Sequence, residues 1–223
     1  MYECVLPPPS TSGISKELLE SSIARFVELA KEDAARRPLR DESGGGVDGS
    51  GRKQKKVLLL PPDFTRFHSR AGDISNIIYD LMPPGASEGY AVTDVMPALG
   101  THREMTLEEQ QEMFSKDMVE AGVLRVHDWR NDVKTIGHCP SEMVRKATNG
   151  NVDEPWPVQL NKLVSDGGHD LIFSIGQVVP HEVMGMANFN KNLFVGVGGV
   201  EAINLSHFIG AVYGMEKVRG RGG

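Results

Sequence analysis

Side chains that could move protons or bind an anion recur where predicted strands of this sequence end. They are Asp63 and Arg66 in one loop, His102 in a second loop and His181 in a third. In open α/β sheets, ligand sites form outside the carboxyl ends of the strands. If the three strands are parallel neighbours, the three loops therefore meet at one crevice. The joint placement of His102 and His181 favours a functional site there.

The turn from Asp63 to Arg66 has two interpretations. Asp63 and Thr65 could stabilise the turn, with Arg66 paired to Asp63. Alternatively, Arg66 binds an anion, because a guanidinium holds a carboxylate or a phosphate through two parallel hydrogen bonds. The turn by itself leaves both interpretations open.

The stretch from His181 to His207 contains two histidines, Lys191 and a glycine-rich turn. We expect it to run as loop, strand, turn and helix. Backbone amides of the glycines in 196–199 could hold a phosphate ahead of the helix, although the segment is neither a Walker loop nor a full dinucleotide motif. His207 would lie about two turns into the helix, either as a polar-face residue or as a metal ligand.

Alternating apolar runs and amphipathic segments predict an α/β fold with a mainly parallel sheet flanked by helices, organised like a Rossmann domain. The predicted strands are 57–60, 90–99, 123–129, 133–138, 170–179 and 192–197. The predicted helices are 15–37, 71–82, 106–121 and 201–215, with a turn at 153–157 and an ambiguous segment at 160–164.

Composition divides the chain into three segments. Residues 1–56 are predicted to form an N-terminal helix followed by a flexible, glycine-rich and charged insertion at 40–56. Residues 57–217 form the α/β domain that carries the candidate site. Residues 218–223 are a short tail.

The charge and cysteine content exclude several kinds of partner. A net charge of −6 argues against nucleic acid or an anionic membrane surface as a partner. Two distant cysteines, Cys4 and Cys139, form neither a disulfide framework nor a zinc site, which favours a reducing compartment. The sequence has no apolar run long enough to span a bilayer and no signal-peptide pattern. We therefore expect a cytoplasmic protein.

Taken together, the motifs resemble the N-terminal domain of the nickel-dependent lactate racemase family. Asp63-Phe64-Thr65-Arg66 matches the family's Asp-x-Thr-Arg motif, and Gly100-Thr101-His102-Arg103 matches its Gly-Thr-His-Arg motif. The spacings between His181, Lys191 and His207, ten and sixteen residues, also fit the family. The resemblance spans residues 57–215.

The resemblance implies a specific cofactor. It is a nickel-pincer nucleotide, pyridinium-3,5-bisthiocarboxylic acid mononucleotide, in which two sulfur atoms and a ring carbon hold nickel. By resemblance, Lys191 would carry the cofactor covalently through a thioamide. His207 would supply the protein ligand to nickel.

The resemblance also implies a reaction, the inversion of the carbinol carbon of a 2-hydroxy acid by a racemase or epimerase. His102 and His181 would be the acid–base pair, one for each face of the substrate carbon. One histidine would take the hydroxyl proton while hydride passes to the cofactor, and the other would return a proton when hydride comes back. Arg66 would hold the substrate carboxylate, with Asp63 orienting it.

Two departures from the family pattern bear on the substrate. Lactate-type members read Gly-Phe-Ser-Gly-Gly before the lysine, whereas residues 185–190 read Gly-Met-Ala-Asn-Phe-Asn, and Glu104 replaces a proline. Residues 188–215 resemble a branch described as sugar-acid, mannonate-type epimerases. A sugar acid such as mannonate is therefore as plausible a substrate as lactate.

The family also implies partners for this chain. They are the small 2-hydroxy acid, the enzymes of cofactor biosynthesis, and a second domain that closes over the cofactor. We expect the chain to lack that second domain and to be a fragment or truncated product. The alternative function is a non-catalytic nucleotide- or metal-binding fragment.

Overall fold

A computed structural model of the chain describes residues 13–36, 54–85, 89–181 and 183–218. The predicted insertion at 40–56 lies outside the described residues up to position 53, as does the predicted tail from position 219. The predicted bounds of both are wrong where the structure describes them, because Lys55 and Lys56 begin a strand and Val218 ends a helix. The helices are α1 (Lys16–Arg36), α2 (Ala71–Leu81), α3 (Leu107–Met113), α4 (Lys116–Glu120), α5 (Ser141–Ala147), α6 (Lys162–Asp166), α7 (Val200–Tyr213) and α8 (Met215–Val218). The strands are β1 (Lys55–Leu60), β2 (Tyr90–Val95), β3 (Val133–Cys139), β4 (Trp156–Asn161), β5 (Leu171–Ser174), β6 (Pro180–His181) and β7 (Gly185–Met186). A 3₁₀ helix covers Phe64–Ser69 and a π-helix covers Asn192–Gly196.

Strand β1 is the centre of a three-stranded parallel sheet in the order β2–β1–β5. Leu59 lies opposite Val95 on one side and Phe173 on the other. The last four residues of β1, Val-Leu-Leu-Leu, are fully buried, as expected of a strand that is covered on both faces. The predicted α/β fold with a parallel sheet is confirmed.

The side chains of β1 alternate between two hydrophobic layers. Val57 and Leu59 belong to the layer that contains residues of helices α1 to α4. Leu58 and Leu60 belong to the opposite layer, which contains residues of α6 and of the π-helix. The helices therefore flank the sheet on both faces, and the π-helix covers the face near its carboxyl edge.

Helix α1 is part of the same core as the sheet. It buries Leu19, Ile23 and Val27, which recur at the four-residue spacing of an amphipathic helix. Phe26 packs edge-on against Phe173 of β5, with ring centroids 5.9 Å apart. Helix α1 thus helps to hold the sheet that carries the candidate site.

Three of the four predicted helices form close to their predicted bounds, as α1, α2 and α7. The fourth, 106–121, is divided into α3 and α4 because Phe114 adopts an extended conformation, with φ −113° and ψ 158°. Ser115 then starts α4 by accepting a hydrogen bond from the Met118 amide at 3.3 Å. The predicted capping box between Thr106 and Glu109 is confirmed.

Four of the six strand predictions are wrong in extent or in type. The strand predicted at 90–99 ends at Val95. Segment 123–129 makes a single parallel bridge, because β2 ends at Val95 and offers no further partner. The strand predicted at 170–179 ends at Ser174, opposite the last residue of β1. Segment 192–197 is a π-helix; a short apolar run fits a buried helix as well as a strand.

The remaining strand predictions hold with changed partners or bounds. The strand predicted at 133–138 forms as β3, but it pairs antiparallel with β4 in a separate two-stranded sheet. Strand β4 begins within the predicted turn 153–157, and the ambiguous segment 160–164 is divided between β4 and α6. Strands β6 and β7 form a small antiparallel pair.

None of the helices in the described ranges is both long enough and apolar enough to cross a membrane.

Candidate functional site

The loops that follow β1 and β2 stay together beyond the ends of the strands. The Ala98 amide donates to the Pro61 carbonyl at 2.7 Å, so the segments that follow β1 and β2 stay hydrogen-bonded beyond the two strands. Gly100 then turns the second loop with φ 58°, a left-handed conformation that glycine adopts without strain. Its amide donates to the Gly196 carbonyl at 2.8 Å, so the π-helix is tied to the same edge.

Asp63 and His102 form a direct pair at this edge. Nδ1 of His102 lies 2.7 Å from Oδ2 of Asp63, and the Thr65 hydroxyl donates to the other carboxylate oxygen. The Asp63 side chain is 7% exposed and the His102 side chain 58% exposed. Beside a carboxylate that accepts the hydrogen bond, a neutral imidazole carries its proton on Nδ1 and keeps a lone pair on Nε2. A buried carboxylate orients the histidine of a Ser-His-Asp triad in the same way.

The predicted pairing of Arg66 with Asp63 is not formed by their side chains. Within the described ranges, the Asp63 carboxylate bonds to His102 and Thr65, and Arg66 reaches Asp63 only through its backbone amide, at 3.0 Å from the carbonyl. The Arg66 side chain is exposed to solvent. The second interpretation of this turn, an anion-binding guanidinium, stays a prediction.

His181 lies in the β6–β7 pair, beside helix α7. Its Nδ1 accepts hydrogen bonds from the amides of Val183 and Met184, at 3.2 and 3.1 Å, so a neutral ring carries its proton on Nε2. A Cβ added to Gly210 would lie 2.7 Å from the Val183 carbonyl oxygen, so the backbones approach closely. Gly210 is three residues after His207 on one helix face. The structure thereby places the segment after His181 beside the helix face of His207.

His207 is oriented by its own helix. Its Nδ1 lies 2.7 Å from the Ile203 carbonyl oxygen, one turn earlier, and must be the protonated nitrogen of that hydrogen bond. This tautomer leaves Nε2 with the lone pair that a metal requires, and such a second hydrogen bond is usual for ligating histidines. The described part of the chain has no group of three or more His, Cys, Asp or Glu residues arranged around a metal.

Lys191 is half-buried at the start of the π-helix, and its amide donates to the Asn188 carbonyl at 3.1 Å. The next residue, Asn192, is buried and donates from Nδ2 to the carbonyls of Leu60 at 3.0 Å and Ile175 at 3.2 Å. Those carbonyls lie at the carboxyl ends of β1 and β5. Lys191 is therefore held at the same edge of the sheet as the Asp63–His102 pair.

The glycine-rich turn before α7 packs against protein atoms. A Cβ on Gly198 would lie 2.3 Å from the Phe194 carbonyl oxygen, and a Cβ on Gly199 would lie 2.3 Å from Oε1 of Gln159. The same Oε1 accepts from the Ala202 amide in the first turn of α7, at 3.2 Å. The turn therefore serves close packing and helix capping, and the phosphate interpretation of its glycines finds no support.

His127 supports this turn and was not among the predicted site residues. It is buried, its Nε2 donates to the Gly198 carbonyl at 3.0 Å, and its Nδ1 accepts from Asn161 at 3.0 Å. Burial lowers the pKa of His127, so the ring stays neutral. In the sequence this histidine was hidden within a segment that was predicted to be a strand.

The described structure thus brings Asp63 and His102 into contact and places Lys191 at the end of the same sheet. His181 and His207 lie on two elements that pack against each other near Gly210. Their predicted roles stay predictions, because the contacts establish only their positions and their favoured tautomers.

A family model described as the lactate racemase N-terminal domain matches residues 46–218 of the chain. The chain belongs to the lactate racemase family. The lactate racemase of Thermoanaerobacterium thermosaccharolyticum is 26% identical to it over 206 residues, which cover 91% of this chain and 43% of that protein. The chain therefore spans less than half the length of this relative.

The solved structures similar to the chain include a Thermotoga maritima protein and a lactate racemase apoprotein. A Thermotoga maritima protein aligns over 93% of this chain and 44% of its own, with a TM-score of 0.66 and 24% identity, which supports the α/β fold. The lactate racemase apoprotein of Thermoanaerobacterium thermosaccharolyticum aligns over 78% of this chain and 38% of its own, with a TM-score of 0.49 and 24% identity.

Proposed function

We propose that this chain is the cofactor-carrying part of a racemase or epimerase that inverts the carbinol carbon of a 2-hydroxy acid. The observation that carries the proposal is the Asp63–His102 pair at the carboxyl edge of the sheet, in a chain of the lactate racemase family. The pair supplies an oriented imidazole base, and Lys191 lies at the same edge.

The side chains fit a nickel-pincer nucleotide as the cofactor. Lys191 offers an amine for covalent attachment. His207 has its Nδ1 proton bonded to the Ile203 carbonyl, which leaves Nε2 as the ligand atom for nickel. When bound, the cofactor would supply a reversible acceptor for the hydride of the substrate carbon. The protein would supply the two proton transfers and the binding of the substrate.

We assign His102 and His181 to opposite proton transfers. Nε2 of His102 has the lone pair and can take the hydroxyl proton, while Asp63 stabilises the imidazolium that forms. Nε2 of neutral His181 carries a proton with which it can donate a hydrogen bond to the substrate oxygen. To return a proton to the carbonyl oxygen of a planar 2-keto acid, His181 would act in its imidazolium form, in which Nδ1 is protonated and no longer accepts from the two amides. Inversion needs a proton donor and an acceptor on opposite faces of one carbon. In the reverse direction the two histidines exchange roles.

Arg66 is the proposed ligand of the substrate carboxylate. Its guanidinium is exposed, and the Asp63 carboxylate that could have neutralised it is bonded to other groups. A bidentate guanidinium–carboxylate contact would also fix the orientation of the substrate. We propose lactate or a sugar acid such as mannonate as the substrate, because residues 185–190 depart from the lactate-type pattern beside Lys191.

Intact-mass measurement tests the proposal at the cofactor. The chain is co-expressed with the enzymes that make the cofactor, as wild type, Lys191→Ala and Lys116→Ala; Lys116 is a highly exposed lysine of α4. We expect a nickel-containing adduct on the wild type and on Lys116→Ala, and the bare mass for Lys191→Ala. In His207→Ala the organic adduct should remain while nickel is lost. A bare mass for the wild type would instead support a non-catalytic nucleotide- or metal-binding fragment.

Activity measurements test the proton transfers and the substrate. The loaded protein is assayed against D- and L-2-hydroxy acids and aldonic acids by chiral separation of the products. His102→Gln and His181→Gln should each lower kcat/KM by about 10²- to 10⁴-fold, the usual contribution of a general acid or base. His138→Gln, at an exposed position of β3, is the matched control. Inversion that survives either site substitution would rule out the two-histidine mechanism.

A further inference from the structure

The backbone just before Lys191 adopts an unusual conformation. Asn188 and Phe189 are consecutive residues with φ values of 62° and 49°, in the left-handed region. Asparagine tolerates this region, whereas phenylalanine rarely adopts it. Such strain persists only where neighbouring contacts hold the backbone in place. The contacts that hold residues 188 and 189 in this conformation therefore also fix the position of the backbone that leads to Lys191.

The Asn188 side chain is anchored to the end of β5. Its Nδ2 donates to the Gly176 carbonyl at 3.1 Å, and its Oδ1 accepts from the Ser174 hydroxyl at 3.1 Å. Nδ2 of Asn192 lies 3.3 Å from the same hydroxyl oxygen. The Ser174 hydroxyl thus donates to one asparagine and accepts from the other, and the three side chains form one continuous chain of hydrogen bonds.

We propose that Asn188, Ser174 and Asn192 form an asparagine clamp that positions Lys191 for attachment of the cofactor. Lys191 lies between the two asparagines, three residues after one and one residue before the other. Anchors on both sides hold its backbone against the ends of β1 and β5, so the side chain leaves the sheet edge from a constant place. The clamp itself is inferred from these hydrogen bonds. That Lys191 binds a cofactor rests on the proposed function.

Ser174 offers the sharpest test of the clamp because it is exposed and its substitution disturbs no core packing. Threonine and valine have the same shape, and both favour strands, but only threonine keeps the hydroxyl. We expect Ser174→Val to speed amide hydrogen exchange in residues 186–193 about fivefold, the factor equivalent to one lost hydrogen bond. Attachment of the cofactor to Lys191 should slow by a similar factor. Ser174→Thr should restore both rates, and exchange in α1 should not change.

A matched pair of asparagine variants separates the clamp from backbone strain. Asn149 also has a positive φ, 53°, but it lies in an exposed turn after α5. Asn188→Ala and Asn149→Ala therefore carry a similar backbone penalty, and only Asn188→Ala removes a clamp contact. We expect Asn188→Ala to speed exchange in residues 186–193 clearly more than Asn149→Ala speeds exchange in residues 147–151, where backbone strain alone would act.

The clamp would be overturned if Ser174→Val exchanged like Ser174→Thr in residues 186–193. It would also be overturned if Asn149→Ala sped exchange in residues 147–151 as much as Asn188→Ala sped exchange in residues 186–193. The proposed function fails separately. If the wild type never acquires an adduct while the exchange rates respond as expected, the results support the clamp as the structure that positions Lys191. They contradict the proposal that Lys191 carries a nickel-pincer cofactor.

Discussion

Asp63 is a buried acceptor whose two oxygens are both occupied, one by the Thr65 hydroxyl and one by the imidazole of His102. The carboxylate orients a mostly exposed ring without facing solvent itself. The arrangement fixes which imidazole nitrogen is available for chemistry. Asp63 is thereby a positioning residue for His102, whereas the sequence had associated it with Arg66.

Removal of this acceptor should change the tautomer of His102. In the wild type we expect neutral His102 to be protonated at Nδ1, and in Asp63→Ala mainly at Nε2, because the hydrogen bond that selects Nδ1 is lost. Long-range ¹H–¹⁵N correlation spectra of the imidazole rings distinguish the two forms. The ring of exposed His138 is the internal control. An unchanged His102 tautomer in Asp63→Ala would show that Asp63 does not orient it.

At the scale of elements, the candidate site depends on the π-helix packing closely against the extension of β2. Asn192 ties the start of the π-helix to β1 and β5, and Gly196 ties its end to Gly100. A Cβ on Gly196 would lie only 2.7 Å from the Cβ of Ala98. Close approach at this one glycine lets the element that carries Lys191 meet the loop that carries His102.

Gly196→Ala should separate these elements and destabilise the fold by about 1–3 kcal/mol, the usual penalty for overpacking. Urea unfolding, followed by circular dichroism, measures the change. Gly137→Ala is the control, because a Cβ there meets no atom within 4 Å. The double variant Gly196→Ala with Ala98→Gly should recover much of the loss. If Gly196→Ala were as stable as Gly137→Ala, the close contact would not matter.

At the scale of the whole molecule, a second Asp–His pair, which is less exposed than the first, joins β2 to the segment before β5. Oδ2 of Asp94 lies 2.9 Å from Nε2 of His169, and Oδ1 accepts from Arg125 at 2.8 Å. Burial raises the pKa of Asp94, but hydrogen bonds from His169 and Thr93 and the charge of Arg125 outweigh it and lower the pKa to about 2. This cluster connects parts of the chain that are distant in sequence, and no step of the proposed reaction uses it.

The lowered pKa of Asp94 predicts a specific loss of stability in acid. A carboxyl group whose pKa is lower in the folded state stabilises the fold above its unfolded pKa, and this contribution disappears as the pH falls through the folded pKa. We expect the loss between about pH 4 and about pH 2, on the order of 1–2 kcal/mol after allowance for solvent screening. Urea unfolding as a function of pH measures it.

Asp94→Asn should remove this part of the pH dependence, whereas Asp153→Asn, at an exposed position, should retain it. Parallel stability curves for the wild type and Asp94→Asn below pH 4 would contradict the assignment to Asp94.

Buried His127 makes a separate contribution to the pH dependence of stability, at higher pH. Because burial lowers its pKa, the unfolded chain binds more protons, and stability should already fall as the pH drops below about 6.5.

Local pattern determined which segments could carry the site. Periodicity and helix capping depend on residues a few positions apart. The sequence therefore predicted the apolar run of β1, the amphipathic spacing of α1 and the Thr106–Glu109 capping box. The same local reading identified the loops after the parallel strands, since the carboxyl ends of such strands meet at one edge. Where an apolar run was short, as at 192–197, pattern alone could not tell a strand from a helix.

Tertiary structure decided what those residues contact. The bond between Asp63 and His102 spans 39 positions of the sequence, and the bond from Asn192 to Leu60 spans 132. Neither is encoded in a local spacing, because both depend on how β1, β2, β5 and the π-helix pack at one edge. The sequence by itself determined the chemical types at that edge. Only the packed sheet decided that Asp63 orients a histidine and that two asparagines hold the lysine between them.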